Sequence, residues 1–202
     1  MLRLGLTGGI ASGKSAVAAM LREMGFAVLD ADSLAHKLIE PGQPAYADVL
    51  REFGPAVAAS DGHIDRTKLG AIVFADRARL DRLNAIVHPR VSEAIFRQFE
   101  EWERNGVRDA AFVEAALLIE AGYPKHLNGL VVAWCTPQQQ LERLLARGLS
   151  EDDARRRIAA QMPVAEKLKL ATETIDCSGS VGNTRTQVEA LAAKLRHTPA
   201  ST

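Results

Sequence analysis

A glycine-rich segment near the start of the sequence constrains the possible folds more than any other feature. Residues 8–15 read Gly-Gly-Ile-Ala-Ser-Gly-Lys-Ser and match the Walker A pattern G-x-x-x-x-G-K-[ST] without a mismatch. In such a loop the glycines let the backbone curl so that successive N–H groups face phosphate oxygens, and the dipole of the following helix adds to the attraction. The motif therefore predicts a site for a nucleoside triphosphate, with Lys14 at the β- and γ-phosphates and the Ser15 hydroxyl on Mg²⁺.

The segments on either side of the loop support this interpretation. Residues 2–6 form a short apolar run, which is typical of a buried strand. Residues 14–24 place apolar side chains at the i, i+3, i+4, i+7 spacing of an amphipathic helix, and residues 27–29 read as a second buried strand. A chance match to the motif lacks this context. The order strand, loop, helix, strand predicts a βαβ unit and hence a parallel sheet covered by helices.

Three further apolar segments, at 110–113, 130–134 and 174–175, bring the predicted strands to five. We expect a three-layer α/β fold of the P-loop NTPase or nucleotide-kinase type, with a parallel five-stranded sheet, an inserted helical subdomain and a helical lid. The single domain 1–202 then comprises a nucleotide-binding core of residues 1–33 and 106–202, a helical acceptor insertion of residues 34–105, and a lid at 138–165. Within the insertion we expect one helix to begin at His88-Pro89.

Two arginines in the predicted lid are candidates for contact with the nucleotide. Arg143 and Arg147 are four residues apart on a predicted helix and therefore share one face. On a lid that closes over the site they would clamp the ATP phosphates and help to exclude water. The alternative is a solvated helix face on which they pair with Glu142, Glu151 or Asp152.

Charge and composition disfavour several classes of function. The sequence carries 25 Lys and Arg against 25 Asp and Glu, so a basic nucleic-acid-binding protein is disfavoured. It has two cysteines, no C-x-x-C pair and no apolar run near the ~20 residues of a membrane helix. We therefore expect a cytoplasmic protein with no nucleic-acid or membrane partner, either monomeric or weakly homo-oligomeric.

Among the classes of P-loop protein, a GTPase is disfavoured because no Asn-Lys dipeptide occurs, and a motor ATPase is disfavoured because the chain is small and neutral. A small-molecule kinase remains.

Short motifs that follow the phosphate loop resemble those of the dephospho-CoA kinase family. They are Leu6-Thr7-Gly8-Gly9-Ile10, Ser12-Gly13-Lys14-Ser15, Leu29-Asp30-Ala31-Asp32, Phe53-Gly54, Asp61-Gly62 with Asp65-Arg66, Leu83-Asn84 with His88-Pro89, Leu117-Leu118 with Glu120, Gln140 with Arg143 and Arg147, and Gln161. Most are weak alone. The loop followed in order by D-A-D, F-G, D-G-x-x-D-R and H-P is specific, and the resemblance covers about residues 4–180.

The resemblance implies transfer of phosphate from ATP to the ribose 3′-hydroxyl of dephospho-CoA, the last step of coenzyme A synthesis. Asp32 would accept the proton of that hydroxyl at the end of the second strand, although it could instead only cap the next helix. Lys14 and Arg143 would complete the catalytic set, and Arg66 and His88 would bind the acceptor.

The predicted nucleotide-binding residues are Gly8, Gly9, Ile10, Ala11, Ser12, Gly13, Lys14, Ser15 and Arg147. Alternatives that remain open are a nucleoside or sugar kinase of the same fold, and a nucleotide-binding regulator without an acceptor.

The sequence departs from the family pattern at several positions. Ala11 stands where the family usually has glycine, and an alanine is tolerated there if its φ stays negative. Ala16 replaces a threonine and Ala116 a proline. Residues 171–177 differ from the family's a-D-x-V-I-x-N, so the adenine contacts near Asp176-Cys177 are the least constrained part of the prediction.

Overall fold

We describe a computed structural model in which residues 1–197 are placed, without the side chains of Phe74 and His197. The chain divides into two compact units. The first contains Met1–Asp30 and the chain from Phe99 onward, and the second contains Ala31–Gln98. The functional division into core, acceptor insertion and lid stays a prediction.

A parallel sheet of five strands forms the centre of the first unit. The strands are β1 (Leu2–Gly8), β2 (Ala27–Asp30), β3 (Ala110–Glu114), β4 (Gly129–Trp134) and β5 (Glu173–Asp176). Their order is β2-β3-β1-β4-β5, and every neighbouring pair is parallel. The predicted α/β fold with five parallel strands is confirmed.

The helices are α1 (Lys14–Glu23), α2 (Ala31–Leu38), α3 (Tyr46–Phe53), α4 (Arg66–Ala75), α5 (Arg77–Arg104), α6 (Pro137–Ala146), α7 (Glu151–Ala159), α8 (Val164–Lys169) and α9 (Val181–His197). Two short 3₁₀ turns lie at Pro55–Val57 and Tyr123–His126. Among residues 1–197, no helix is both long enough and apolar enough to cross a membrane.

Helices cover both faces of the sheet because its strands are apolar on both sides. On one face, α1 and α9 pack through Leu21 and Leu191 against buried strand residues such as Leu6. On the other face, Leu118 lies where a side chain at Gly5 would be. Loops at the carboxyl ends of the strands are therefore the open part of this unit, which is the usual location of ligands in such sheets.

The second unit is helical, as the periodicity predicts, but the expected helix boundary at His88-Pro89 is wrong. Helix α5 runs through Pro89 without ending. Proline removes one backbone donor and normally ends or kinks a helix. Here Val87, Val91 and Ile95 are all buried and lie four residues apart, so they share one face across the proline. Burial of that continuous face outweighs the local preference.

Candidate active site

The phosphate loop connects the end of β1 to the start of α1. Ser12 N–H donates to Gly9 O at 3.1 Å, and the first turn of α1 closes on Gly13 O. Two residues of the loop have positive φ, Gly13 at 103° and Ala11 at 57°. The condition of a negative φ at Ala11 is therefore not met. The alanine adopts the left-handed conformation itself, which costs an L-residue about 1–2 kcal/mol.

The glycines of the loop are also required by their close neighbours. A Cβ at Gly8 would collide with Ala133 O and Ser12 Oγ, and one at Gly13 would lie 2.8 Å from Cys177 Cβ. The Ser12 hydroxyl is buried beneath the loop and has no hydrogen-bond partner there. The loop is thus packed closely against Ala133 and Cys177, and this packing leaves no room for side chains at Gly8 and Gly13.

Lys14 is held by a buried carboxylate that the sequence analysis did not identify. Its Nζ lies 2.7 Å from Glu114 Oε1, and the side chains of the lysine and glutamate are only 14% and 6% exposed. Arg22 approaches the other carboxylate oxygen at 3.4 Å. Glu114 is the last residue of β3, in register with Leu6 of β1. The signal that could have identified it is an acidic residue ending an apolar strand, Phe112-Val113-Glu114.

Asp30 lies beside Glu114, because the two residues are paired in register at the ends of β2 and β3. Asp32 is not at a strand end as expected. Strand β2 ends at Asp30, and Asp32 is the exposed second residue of α2, in the second unit. It is thus within the first turn of this helix and not at its cap.

Arg143 contacts the loop directly. Its guanidinium donates to Ala11 O at 3.1 Å and to Cys177 O at 2.7 Å. The alternative was that Arg143 pairs with a nearby acidic residue on the surface. Two of those residues bond elsewhere, because Glu142 accepts a hydrogen bond from Gln138 and Glu151 accepts one from Arg155. A solvated surface pair therefore does not describe Arg143, which connects the phosphate loop to the segment after β5.

A cavity of about 300 Å³ lies next to the loop. Its lining residues come from the loop, α1, α6 and the segment around the start of α9: Ala11, Gly13, Ala16, Met20, Arg143, Arg147, Cys177, Gly179, Val181 and Thr184. Arg147 is exposed, just after the end of α6. Burial raises the pKa of the Cys177 thiol, which keeps it neutral. The mixture of apolar side chains and peptide edges suits a nucleotide base.

A larger cavity of about 400 Å³ lies elsewhere in the first unit. It is bordered by Phe26 and Arg196 and lies at the amino ends of β2 and β3, away from the phosphate loop. Arg196 is bonded there to Met24 O and stacks on the Phe26 ring. We take the cavity at the loop as the candidate active site, because the Walker A loop and the start of α1 line it.

In the second unit, a cavity of about 280 Å³ brings Arg66 and His88 together. Its walls are otherwise mostly apolar, with His36 and Asn84 as further polar residues that the sequence analysis did not assign. Arg66 opens α4, after the N-cap Asp65. Burial lowers the pKa of His88 below its usual value, so its imidazole is neutral at physiological pH. Two predicted acceptor residues thus line one cavity.

Comparison with known proteins agrees with the motifs and the fold. A model of the family described as dephospho-CoA kinase matches residues 2–183. The chain belongs to the dephospho-CoA kinase family. A dephospho-CoA kinase from Symbiobacterium thermophilum is 50% identical over 188 residues, which is 93% of this chain and 78% of the relative.

Solved structures of similar proteins cover almost the whole chain. A protein from Thermus thermophilus shares 36% identity with a TM-score of 0.81, over 96% of this chain and 97% of its own. A dephospho-CoA kinase from Campylobacter jejuni shares 27% identity with a TM-score of 0.72, over 95% and 96%. The family resemblance drawn from the motifs is confirmed.

Proposed function

We propose that this chain phosphorylates the ribose 3′-hydroxyl of dephospho-CoA with ATP and Mg²⁺, giving coenzyme A and ADP. The single observation that carries the proposal is membership of the dephospho-CoA kinase family over nearly the whole chain. The curled loop with Lys14 at its end supports ATP as the phosphate donor. A cytoplasmic location and a monomeric or weakly associated state belong to the same proposal.

The residues beside Lys14 fit a magnesium ion. Mg²⁺ prefers hard oxygen ligands, keeps several waters and takes few protein ligands. The Ser15 hydroxyl at the start of α1 and the carboxylates of Glu114 and Asp30 supply such oxygens. Among the side chains that the structure describes, no group of three or more His, Cys, Asp or Glu is arranged for a metal. When bound, Mg²⁺ would neutralise the charge of the transferring phosphate.

Lys14, Arg143 and Arg147 would bind the polyphosphate. Lys14 and Glu114 neutralise one another in the structure, and the phosphates would offer the lysine a second anionic partner. Arg143 is already positioned by two carbonyl oxygens, so little side-chain entropy remains to be lost when it meets an anion. Arg147, on the same cavity, would add a further positive charge.

The acceptor would use the second unit. Its cavity combines an apolar wall with Arg66 and His88, which suits a ligand that carries both an aliphatic arm and phosphates. A neutral His88 can accept or donate one hydrogen bond, while Arg66 can bind a phosphate. Asp32 would orient the 3′-hydroxyl and accept its proton.

The test is ADP release with dephospho-CoA and with a panel of nucleosides, nucleotides and sugars. We expect stimulation by dephospho-CoA alone. Stimulation by a different acceptor would assign another small-molecule kinase, and ATP binding without stimulated turnover would indicate a regulator.

Two variants test the assigned roles. Lys14→Ala should abolish turnover, and Asp32→Asn should lower kcat strongly while ATP still binds. The matched control is Asp81→Asn, because Asp81 is an exposed carboxylate in a surface pair with Arg77. A near-normal kcat for Asp32→Asn would refute its role as the base.

A further inference from the structure

Both backbone groups of Ile10, in the phosphate loop, are bound by glutamine side chains. The Ile10 N–H donates to Gln161 Oε1 at 2.7 Å, and Gln140 Nε2 donates to Ile10 O at 2.8 Å. The two glutamines are 130 and 151 residues away from Ile10 in sequence. Gln140 lies in α6 and is 5% exposed, and Gln161 follows the end of α7. We call this arrangement the glutamine clamp.

The adjacent glycine provides independent support for the clamp. A Cβ at Gly9 would collide with the amide nitrogen of Gln140, and the next nearest atoms also belong to that side chain. Glycine at this position therefore leaves the space that the amide group of Gln140 occupies. Gly9 and Gln140 form one fitted contact beneath the loop.

The position of Gln161 is itself fixed by its neighbours. Met162 N–H donates to Glu120 Oε1 at 3.1 Å, and Lys167 Nζ lies 3.0 Å from the same carboxylate. Lys167 is fully buried and also donates to Ala116 O at 2.9 Å. The segment after α7 is thus attached to the loop that follows β3, and it presents Gln161 to the phosphate loop from a fixed base.

The clamp determines which amides of the loop remain for an anion. The Ile10 N–H is bonded to Gln161 and is therefore not available to a phosphate, so the loop amides that could bind an anion lie beyond Ile10. Ala11 has the left-handed conformation, with φ at 57°, and its carbonyl is bonded to Arg143. Three side chains from residues 140–161 therefore bind two consecutive residues of the loop, and the second of these, Ala11, has the left-handed conformation.

We propose that Gln140 and Gln161 are positioning residues for the nucleotide. They keep the loop in its phosphate-binding conformation and make that conformation depend on α6 and on the segment after α7. The inference concerns ATP binding and rests on the proposed function only in taking ATP as the ligand. A movement of these segments would alter the loop through the two hydrogen bonds.

Isosteric substitutions test the clamp, because the two glutamines have opposite hydrogen-bonding roles. Gln161→Glu retains an acceptor for the Ile10 N–H, whereas Gln161→Leu has none. Gln140→Glu replaces the donor by a carboxylate that faces a carbonyl oxygen. Gln138→Glu is the matched control, since Gln138 is exposed on the same helix and its side chain donates a hydrogen bond to Glu142 rather than to the phosphate loop.

The measurements are the Kd of ATP without acceptor and the separate KM values for ATP and dephospho-CoA. Gln140→Glu and Gln161→Leu should weaken ATP binding about tenfold, which is the loss of one buried hydrogen bond and its unpaired partner. Gln161→Glu and Gln138→Glu should stay within about threefold of the native chain. The KM for dephospho-CoA should stay unchanged in all four.

The proposal is overturned if Gln161→Leu binds ATP as well as Gln161→Glu does, or if the KM for dephospho-CoA rises in parallel with that for ATP. The comparison at Gln161 stands even if Gln140→Glu fails to fold. The outcome is also separate from the proposed acceptor. If the native chain binds ATP but dephospho-CoA does not stimulate turnover, the acceptor is wrong while the binding data still decide on the clamp.

Discussion

Replacing Glu114 by glutamine removes the charge next to Lys14 and preserves the shape of the side chain. In the native chain this carboxylate is nearly buried and faces both Lys14 and Arg22. The substitution Glu114→Gln leaves two cations near a neutral amide. We expect lower stability of the nucleotide-free protein and, separately, lower Mg²⁺-dependent turnover.

The magnitude follows from the exposure of the partners. Removing one member of a fully buried ion pair costs about 3–5 kcal/mol, and a hydrogen bond to a charged group contributes about 1.5–3 kcal/mol. Glutamine can still accept one bond from Lys14, and Arg22 is 44% exposed, so water stabilises part of the remaining charge. We therefore expect a loss of about 2 kcal/mol, or a fall in Tm of about 4–8 °C for a chain of this size.

Thermal unfolding with and without nucleotide is the assay. Because phosphates can replace the missing carboxylate at Lys14, ATP without Mg²⁺ should raise the Tm of the variant more than that of the native chain. Steady-state turnover with Mg²⁺ should fall by about 10–100-fold. The matched control is Glu173→Gln, which removes an exposed pair with Lys194 and should change stability by less than about 1 kcal/mol.

The reasoning is refuted if Glu114→Gln and Glu173→Gln have the same Tm. It is also refuted if ATP stabilises the variant less than the native chain. Unchanged turnover at saturating Mg²⁺ would remove Glu114 from the magnesium site but would leave the ion-pair argument intact.

Three further predictions concern stability. Ala11→Gly should stabilise the protein by about 0.5 kcal/mol in urea unfolding, since relief of the left-handed alanine outweighs the added freedom of the unfolded chain; a loss would contradict this. Lys167→Met should cost about 1–3 kcal/mol in the same assay, because the apolar stem is replaced but Glu120 and Ala116 O lose their donor. Burial lowers the pKa of His88, so the free energy of unfolding should fall as the pH drops below 6.5, the pKa of an unperturbed histidine. His88→Gln should flatten this pH dependence of stability between about pH 5 and 7. An unchanged pH dependence in the variant would refute the role of His88.

Much of the fold could be predicted from local patterns. Each of the five strands contains the apolar run from which it was predicted, and the Walker A motif lies between the predicted first strand and the predicted first helix. These features depend on residues close together in sequence, so a periodicity of side chains is enough to reveal them. The helix through Pro89 is the exception, because a local rule was overruled by burial of Val87, Val91 and Ile95.

The candidate site was less accessible to sequence reasoning. Arg143 was singled out from the sequence, but its alternative partners were sought among nearby acidic residues, and the structure gives carbonyl oxygens of Ala11 and Cys177 instead. Gln140 and Gln161 belonged to the family motifs, yet nothing in their spacing indicated a common contact at Ile10. The conformation of Ala11 could not be read from residue type, because the chain around it imposes that φ.

By itself, the sequence determined that a phosphate loop joins a buried strand to a helix, and that the chain resembles one family of kinases. Only the tertiary structure decided that Glu114 pairs with Lys14, which is 100 residues away in sequence, and that two glutamines form hydrogen bonds with Ile10. The reason is physical: the register of parallel strands brings their carboxyl ends to one edge of the sheet, and that register is set by packing over the whole domain.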